Sequence, residues 1–310
     1  MRGLELARAY YEAFGKELLQ QFPAVLPYIA VGLAGSGSEC YGYDDEISRD
    51  HDFEPGFCIF LPGEEVVDRR TAFLLERAYA KLPKEFMGLK RSPVDPVGGS
   101  RHGVLRMADF FSSKTGSSDG ELSTEQWFAV PEYGLLEATN GAVFTDPYGE
   151  LTRIREKLSA YPEAVRRKKL AGYLLLMGQA GQYNYGRCIA RGETAAAQLA
   201  VFEFTQSALH CIYLLNRAYM PYYKWSFRGL RELERLNGMA GDLEYLISGG
   251  NEDAKHKSAV IEFVAKAIAE ELRSQGLSTL QNAELEQQAY AVNNSIADHN
   301  VRNLHILYGV

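Results

Sequence analysis

From residue 151 to the end, apolar positions recur at i, i+3 and i+4 in run after run: LTRIREKLSAY, RRKKLAGYLLLMGQAGQYNYGRCIARG and TAAAQLAVFEFTQSALHCIYLLNRAY. Each run is parted from the next by proline, glycine or a short polar break, the punctuation expected between helices. Such spacing gives every helix an apolar stripe that only another element can cover, so this half is expected to be an all-α assembly.

The first 150 residues follow a different rhythm. Residues 1–22 mix charge and apolar residues at helical spacing. Residues 28–34 (YIAVGLA) form a short, continuous apolar run ending in glycines, as a buried strand does, and residues 57–61 (FCIFL) form a second that stops at Pro62 and Gly63. Val66, Val67, Phe73, Leu74 and Ala78 predict a helix within 64–82. Residues 90–101, rich in proline and glycine, predict a loop, and residues 103–107 (GVLRM) a third strand. The small polar stretch SSKTGSSDGELS, starting at Ser112, reads as an exposed loop or mobile flap. The expected architecture is an α+β amino-terminal domain over 1–150, a small mixed sheet flanked by helices, followed by an all-α domain over 151–310.

Bulk properties remove several function classes. No stretch approaches the roughly 18–20 apolar residues of a membrane span, and the amino terminus lacks the apolar core and cleavage site of a signal peptide. The four cysteines are scattered with no metal-binding spacing, which fits reduced thiols and a cytoplasmic location. A net charge of -7 disfavours nonspecific nucleic-acid binding. The densest basic run, Arg166, Arg167, Lys168 and Lys169, reads as a solvated helix face.

The segment AVGLAGSGSECYGYDDEISRDHDF, residues 30–53, carries the chemistry. A strand delivers the chain to Gly35, Ser36, Gly37 and Ser38, where missing side chains let backbone N–H groups surround an anion. Asp50 and Asp52 follow at alternate positions, so an extended backbone would put both carboxylates on one face. Two such carboxylates repel unless a divalent cation lies between them, and Mg²⁺ prefers carboxylate and phosphate oxygens. That clamp suits phosphoryl or nucleotidyl transfer. Glu54 continues the alternation and would add a third carboxylate if the strand persists; its plainer reading is a solvent-facing strand end. Asp109, after the third strand, is the other candidate for a catalytic carboxylate, or else caps a helix.

These motifs, Gly37-Ser38-Glu39-Cys40-Tyr41-Gly42 and Ser48-Arg49-Asp50-His51-Asp52-Phe53, resemble the signature of the DNA polymerase β-like nucleotidyltransferase superfamily. His51 departs from the usual apolar residue, and Pro55 and Gly56 interrupt the strand. RDHDF together with GQYNYGR, ARGE, LLNRAY and PYYKW resembles more closely the domain-of-unknown-function 4037 family. The resemblance implies a nucleotidyltransferase-like first domain in which Gly37 and Ser38 hold triphosphate oxygens and Asp50 and Asp52 bind Mg²⁺. The implied reaction moves a nucleoside monophosphate from ATP or another nucleoside triphosphate to a hydroxyl on a small molecule, a protein or an RNA. The alternative is a regulatory or interaction module that binds nucleotide with little chemistry.

In the helical half, Tyr183, Asn184, Arg187 and Arg191 share a helix face by spacing. Asn184 and Arg187 are candidate nucleotide contacts, against a polar seam between helices. Lys224, with Tyr222, Tyr223, Trp225 and Arg228, suits base stacking and phosphate neutralisation, against aromatic core filling. No Walker A loop, G-x-S-x-G elbow or complete G-x-G-x-x-G fingerprint is present.

Overall fold

The computed structural model describes residues 1–49, 53–91 and 101–310. The chain divides into two compact units, Met1–Ser123 with Val130–Ser159, and Thr124–Ala129 with Ala160–Val310.

The first unit is mixed α/β. It opens with α1 (Gly3–Tyr10), where Glu5 reaches back to accept the Arg2 N–H at 2.9 Å, and runs through a π-helical turn into α2 (Lys16–Gln20). Strand β1 (Ala30–Leu33) leads to α3 (Ser38–Tyr41), then β2 (Cys58–Leu61) and α4 (Arg69–Ala80). A small hairpin, β3 (Glu85–Phe86) and β4 (Leu89–Lys90), precedes β5 (Gly103–Arg106), which runs directly into α5 (Met107–Thr115). After α6 (Thr124–Ala129), which belongs to the second unit, come α7 (Glu132–Thr139), β6 (Ala142–Thr145) and α8 (Glu150–Leu158).

The main sheet has the order β5-β2-β1-β6. β1 is antiparallel to both β2 and β6, and β2 is parallel to β5, so the sheet is mixed. The two central strands are buried at every residue, which is why their sequences are apolar without alternation. One side is packed by Tyr10, Tyr11, Leu75 and Tyr79 against Val31, Phe57 and Ile59. The Tyr79 hydroxyl donates to the Phe57 carbonyl at 2.8 Å and accepts its N–H at 3.0 Å, fixing α4 to the start of β2.

The helix expected within 64–82 is α4, Arg69–Ala80, capped by the Asp68 carboxylate on Thr71 N–H, but its buried face is Leu75 and Tyr79, whereas Phe73 and Leu74 are exposed. A second local expectation fails. The stretch read as an exposed loop or flap is ordered structure at its start. Ser112 to Thr115 finish α5, and Thr115 and Ser117 are buried, tied by hydrogen bonds among the Thr115 hydroxyl, the Phe111 carbonyl and the Ser117 backbone. Small side chains pack closely there, a property that polarity conceals.

The second unit is helical: α9 (Glu163–Met177), a π-helical segment (Gly178–Tyr185), α10 (Gly186–Ala190), α11 (Thr194–Leu215), α12 (Tyr223–Glu232), α13 (Ala240–Ser248), α14 (Ala254–Ser274), α15 (Leu285–Asn294) and α16 (His299–Asn303). Helix α9 lies at its centre, against α11 and α15. The basic run on α9 is therefore not the solvated face expected. Arg166, Lys168 and Lys169 are all buried. Lys168 Nζ donates to Asn293 Oδ1 and to the Arg302 and Leu304 carbonyls, three acceptors for three ammonium protons. Lys169 Nζ donates to the Gly309 carbonyl at 2.6 Å, and Arg166 to the Leu214 carbonyl at 3.0 Å. Gly172 leaves room for Val310 and the Ile306 carbonyl, so the carboxyl-terminal segment lies directly on α9. Among the described residues no helix is long and apolar enough to cross a membrane.

Candidate functional site

The turn from β1 into α3 is fixed from the far end of the first unit's sequence. Gly35 adopts φ +125°, open to glycine and strained for other residues. Its N–H donates to Asn140 Oδ1 at 2.9 Å, and its carbonyl accepts from Asn140 Nδ2 at 2.8 Å. Gly141 N–H donates to the Cys40 carbonyl at 2.9 Å. The Asn140 carbonyl in turn accepts Arg155 Nη2 at 2.7 Å, and the Thr139 carbonyl shares the same guanidinium. Burial lowers the Arg155 pKa, yet both carbonyls stabilise its charge. With Gly35 satisfied in this way, the N–H groups of Ser36, Gly37 and Ser38 form no hydrogen bond with any described residue. Gly37 and Ser38, expected to hold phosphate, stand in this array, Gly37 immediately before α3 and Ser38 as its first residue.

The turn lines a pocket of about 240 Å³. Its other walls come from Arg101, Leu105 on β5, and Asp109, Phe110, Ser113 and Lys114 on α5. Asp109 is exposed and occupies the third position of α5, so it is not the cap of that helix. Lys114 pairs with Glu137 at 2.6 Å, and Glu137 also accepts the Tyr41 hydroxyl at 3.1 Å. Burial, reinforced by the Glu137 charge, raises the Tyr41 pKa well above its ordinary value, which keeps the phenol a donor. Behind the turn, burial pushes the Cys58 thiol up to about 12 and the Cys40 thiol well up too, so both are neutral. A larger groove of about 580 Å³ between α2 and α4 is walled by Phe14, Leu18, Phe22 and Leu74 and contains no glycine turn.

Asp50, His51 and Asp52 lie outside the described residues. Among the described residues no group of three His, Cys, Asp or Glu side chains is placed to hold a metal ion. Glu54 does not belong to a strand: β2 starts four residues later, at Cys58, and Glu54 Oε1 lies 3.3 Å from Nδ1 of the buried His102. It is neither a solvent-facing strand end nor part of the pocket wall.

In the second unit, Tyr183, Asn184, Arg187 and Arg191 are all exposed rather than packed in a seam. The Arg187 guanidinium lies 4.7 Å from the Tyr183 ring centroid and donates to its hydroxyl at 2.7 Å. Lys224 Nζ lies 5.3 Å from the Trp225 ring, Arg228 flanks the same ring, and Tyr222 and Tyr223 are exposed, so this group is not core filling. The two groups are not brought together. Tyr185, next to Asn184, is linked through Asn251 to the Thr194 carbonyl at the start of α11. Ser226, two residues after Lys224, accepts the Tyr213 hydroxyl near the end of α11. At about 1.5 Å per residue, those anchor points are about 28 Å apart along the helix.

Sequence reasoning missed Glu39, Arg101, Ser113, Lys114 and Asn140. The Asn140-Gly141 pair carried a turn signal, but nothing local linked it to Gly35, 105 positions earlier.

Residues 127–226 match a family described as "Domain of unknown function (DUF4037)". The match spans Asn140, the π-helical segment with Asn184 and Lys224, and stops short of the Gly35 to Asp52 segment. No curated protein matches the chain.

Proposed function

We propose that this protein is a Mg²⁺-dependent nucleotidyltransferase of the DNA polymerase β-like kind, with its triphosphate site at the turn between β1 and α3. The observation that carries this reading is the run of N–H groups at Ser36, Gly37 and Ser38 that bond to no described residue, on a turn whose Ser36 and Gly37 line a pocket with Asp109, Ser113 and Lys114. Backbone donors held in place by the Asn140 clamp suit an anion, because they need no reorganisation when it arrives. At about 240 Å³ the pocket is smaller than the roughly 300–1,000 Å³ of whole small-molecule sites, a size suited to a phosphate chain with the nucleoside outside.

Carboxylates beside phosphate-binding amides fit a hard divalent cation, which lets two kinds of negative charge share one pocket. Asp50 and Asp52 would hold the Mg²⁺, whose contribution when bound is to neutralise charge on the triphosphate. The acceptor's hydroxyl oxygen bonds to the α-phosphorus as the bond from that phosphorus to the β-bridging oxygen breaks. Pyrophosphate leaves with the electron pair, and the hydroxyl proton passes to a carboxylate, for which Asp109 is the candidate.

The test is transfer of label. Cell extract incubated with α-labelled nucleoside triphosphates and wild-type protein should yield a labelled acceptor and pyrophosphate, and Asp52→Asn should yield neither while keeping its fold. Equal labelling by the two proteins would overturn the assignment.

A further inference from the structure

Glu39 is only 8% exposed, yet its carboxylate makes no hydrogen bond or ion pair with any described residue. Its oxygens are not wholly enclosed, so on its pocket side the carboxylate is open to a group that arrives there. The chain makes room for this one from two sides. A Cβ on Gly3 would lie 2.5 Å from the Glu39 Cβ, and a Cβ on Gly37 would lie 2.0 Å from Glu39 Oε1. The carboxylate thus leans over Gly37, the middle of the three free amides, and lines the same pocket. Its negative charge also reaches the thiols behind the turn, contributing to the upward shift at Cys40 and Cys58.

An anion seated on those amides would meet the Glu39 carboxylate at close range. Their charges repel unless a cation stands between them. We propose that Glu39 is a ligand-binding carboxylate of this pocket, taking up a divalent cation carried in by the phosphate chain. The inference rests on the triphosphate reading above and adds a consequence to it: Glu39 makes phosphate binding conditional on the metal. A chain that arrives without its cation is rejected by the carboxylate, and one that arrives with it gains a hard oxygen ligand.

The experiment is calorimetric titration of a non-hydrolysable nucleoside triphosphate analogue into wild type, Glu39→Gln and Glu39→Asp, each with Mg²⁺ and with a chelator. Wild type should bind about tenfold more tightly with Mg²⁺ than without, a difference of about 1.4 kcal/mol. Glu39→Gln, which keeps shape and removes charge, should bind the metal-free analogue more tightly than wild type and lose most of the Mg²⁺ enhancement. Glu39→Asp retains the charge and should reject the metal-free analogue as wild type does. A full wild-type enhancement in Glu39→Gln, or an Asp variant that behaves like Gln, overturns the role of Glu39 and leaves the triphosphate reading standing. Failure of wild type to bind the analogue under either condition overturns both.

Discussion

Asn140 and Gly35, 105 residues apart, are joined by two hydrogen bonds: the Asn140 amide oxygen takes the Gly35 N–H, and its NH₂ group is donated to the Gly35 carbonyl. A single planar side chain thereby completes both polar groups of the one residue whose φ of +125° sets the turn's direction. The next three amides bond to no described residue, and Ser36 and Gly37 line the pocket. Arg155 holds the Asn140 backbone from below, so the clamp is itself clamped.

Asn140→Ala should therefore strand a buried donor and a buried acceptor, lowering unfolding stability by about 2–4 kcal/mol. Urea denaturation measures the loss, and hydrogen exchange at Ser36, Gly37 and Ser38 should rise together with it. A variant with the lost stability but unchanged exchange at the turn would show that the clamp does not order these amides.

The division between what could and could not be read from the sequence follows the range of the interactions. β1 and β2 were legible because central strands buried on both faces must be apolar throughout, and the helices after residue 151 because their stripes have a local period. Partners far along the chain leave no such trace. The lysines of α9 look like any solvated face until Asn293, Arg302, Leu304 and Gly309 fold over them. Glu39 sits inside the recognised glycine-serine motif, yet its isolation emerges only when Gly3 and Gly37 are seen on either side of it.

Lys168 allows that long-range pairing to be tested. Lys168→Met keeps the volume and apolar stem while leaving the Asn293 amide oxygen and the Leu304 carbonyl without their donor, and the Arg302 carbonyl with only the long bond from Asn293 Nδ2. The expected loss is about 3 kcal/mol of unfolding stability, with proteolysis starting in the carboxyl-terminal segment that the ammonium holds down. Unchanged stability would mean that water replaces the ammonium at no cost.

Glu163 gives a pH dependence. Burial pushes its pKa up, but hydrogen bonds from Arg166 and Arg167 and the charge of Arg217 outweigh that and hold it down to about 2, from an ordinary value of 4.5. The unfolded chain takes up this proton near 4.5 and the folded protein only near 2. The stabilisation is therefore complete above 4.5 and is lost as the pH falls towards 2. Because the side chain is partly exposed, solvent screens the effect and keeps it modest. In urea melts across that window, Glu163→Gln should show a shallower decline than wild type; parallel curves would remove the ion cluster as a source of acid sensitivity.

The two basic groups of the second unit should separate in their effects. With their anchor points about 28 Å apart along α11, Lys224 and Arg187 are too far apart for one mononucleotide to meet both. Of Lys224→Ala and Arg187→Ala, one alone should weaken binding of the triphosphate analogue severalfold. Equal losses in the two variants, measured by calorimetry, would mean that one ligand spans both ends of the helix.

In the proposed reaction Asp109 is the base that separates chemistry from binding. It stands on the first turn of α5, is exposed and lines the pocket. A base acting on the acceptor proton contributes only as the reaction proceeds, so its removal should leave ground-state binding intact. Asp109→Asn should lower turnover by about 10²–10⁴-fold while the analogue's dissociation constant stays within a factor of about two of wild type. Loss of binding in this variant would instead place Asp109 among the groups that hold the nucleotide, and full turnover would remove it from the reaction.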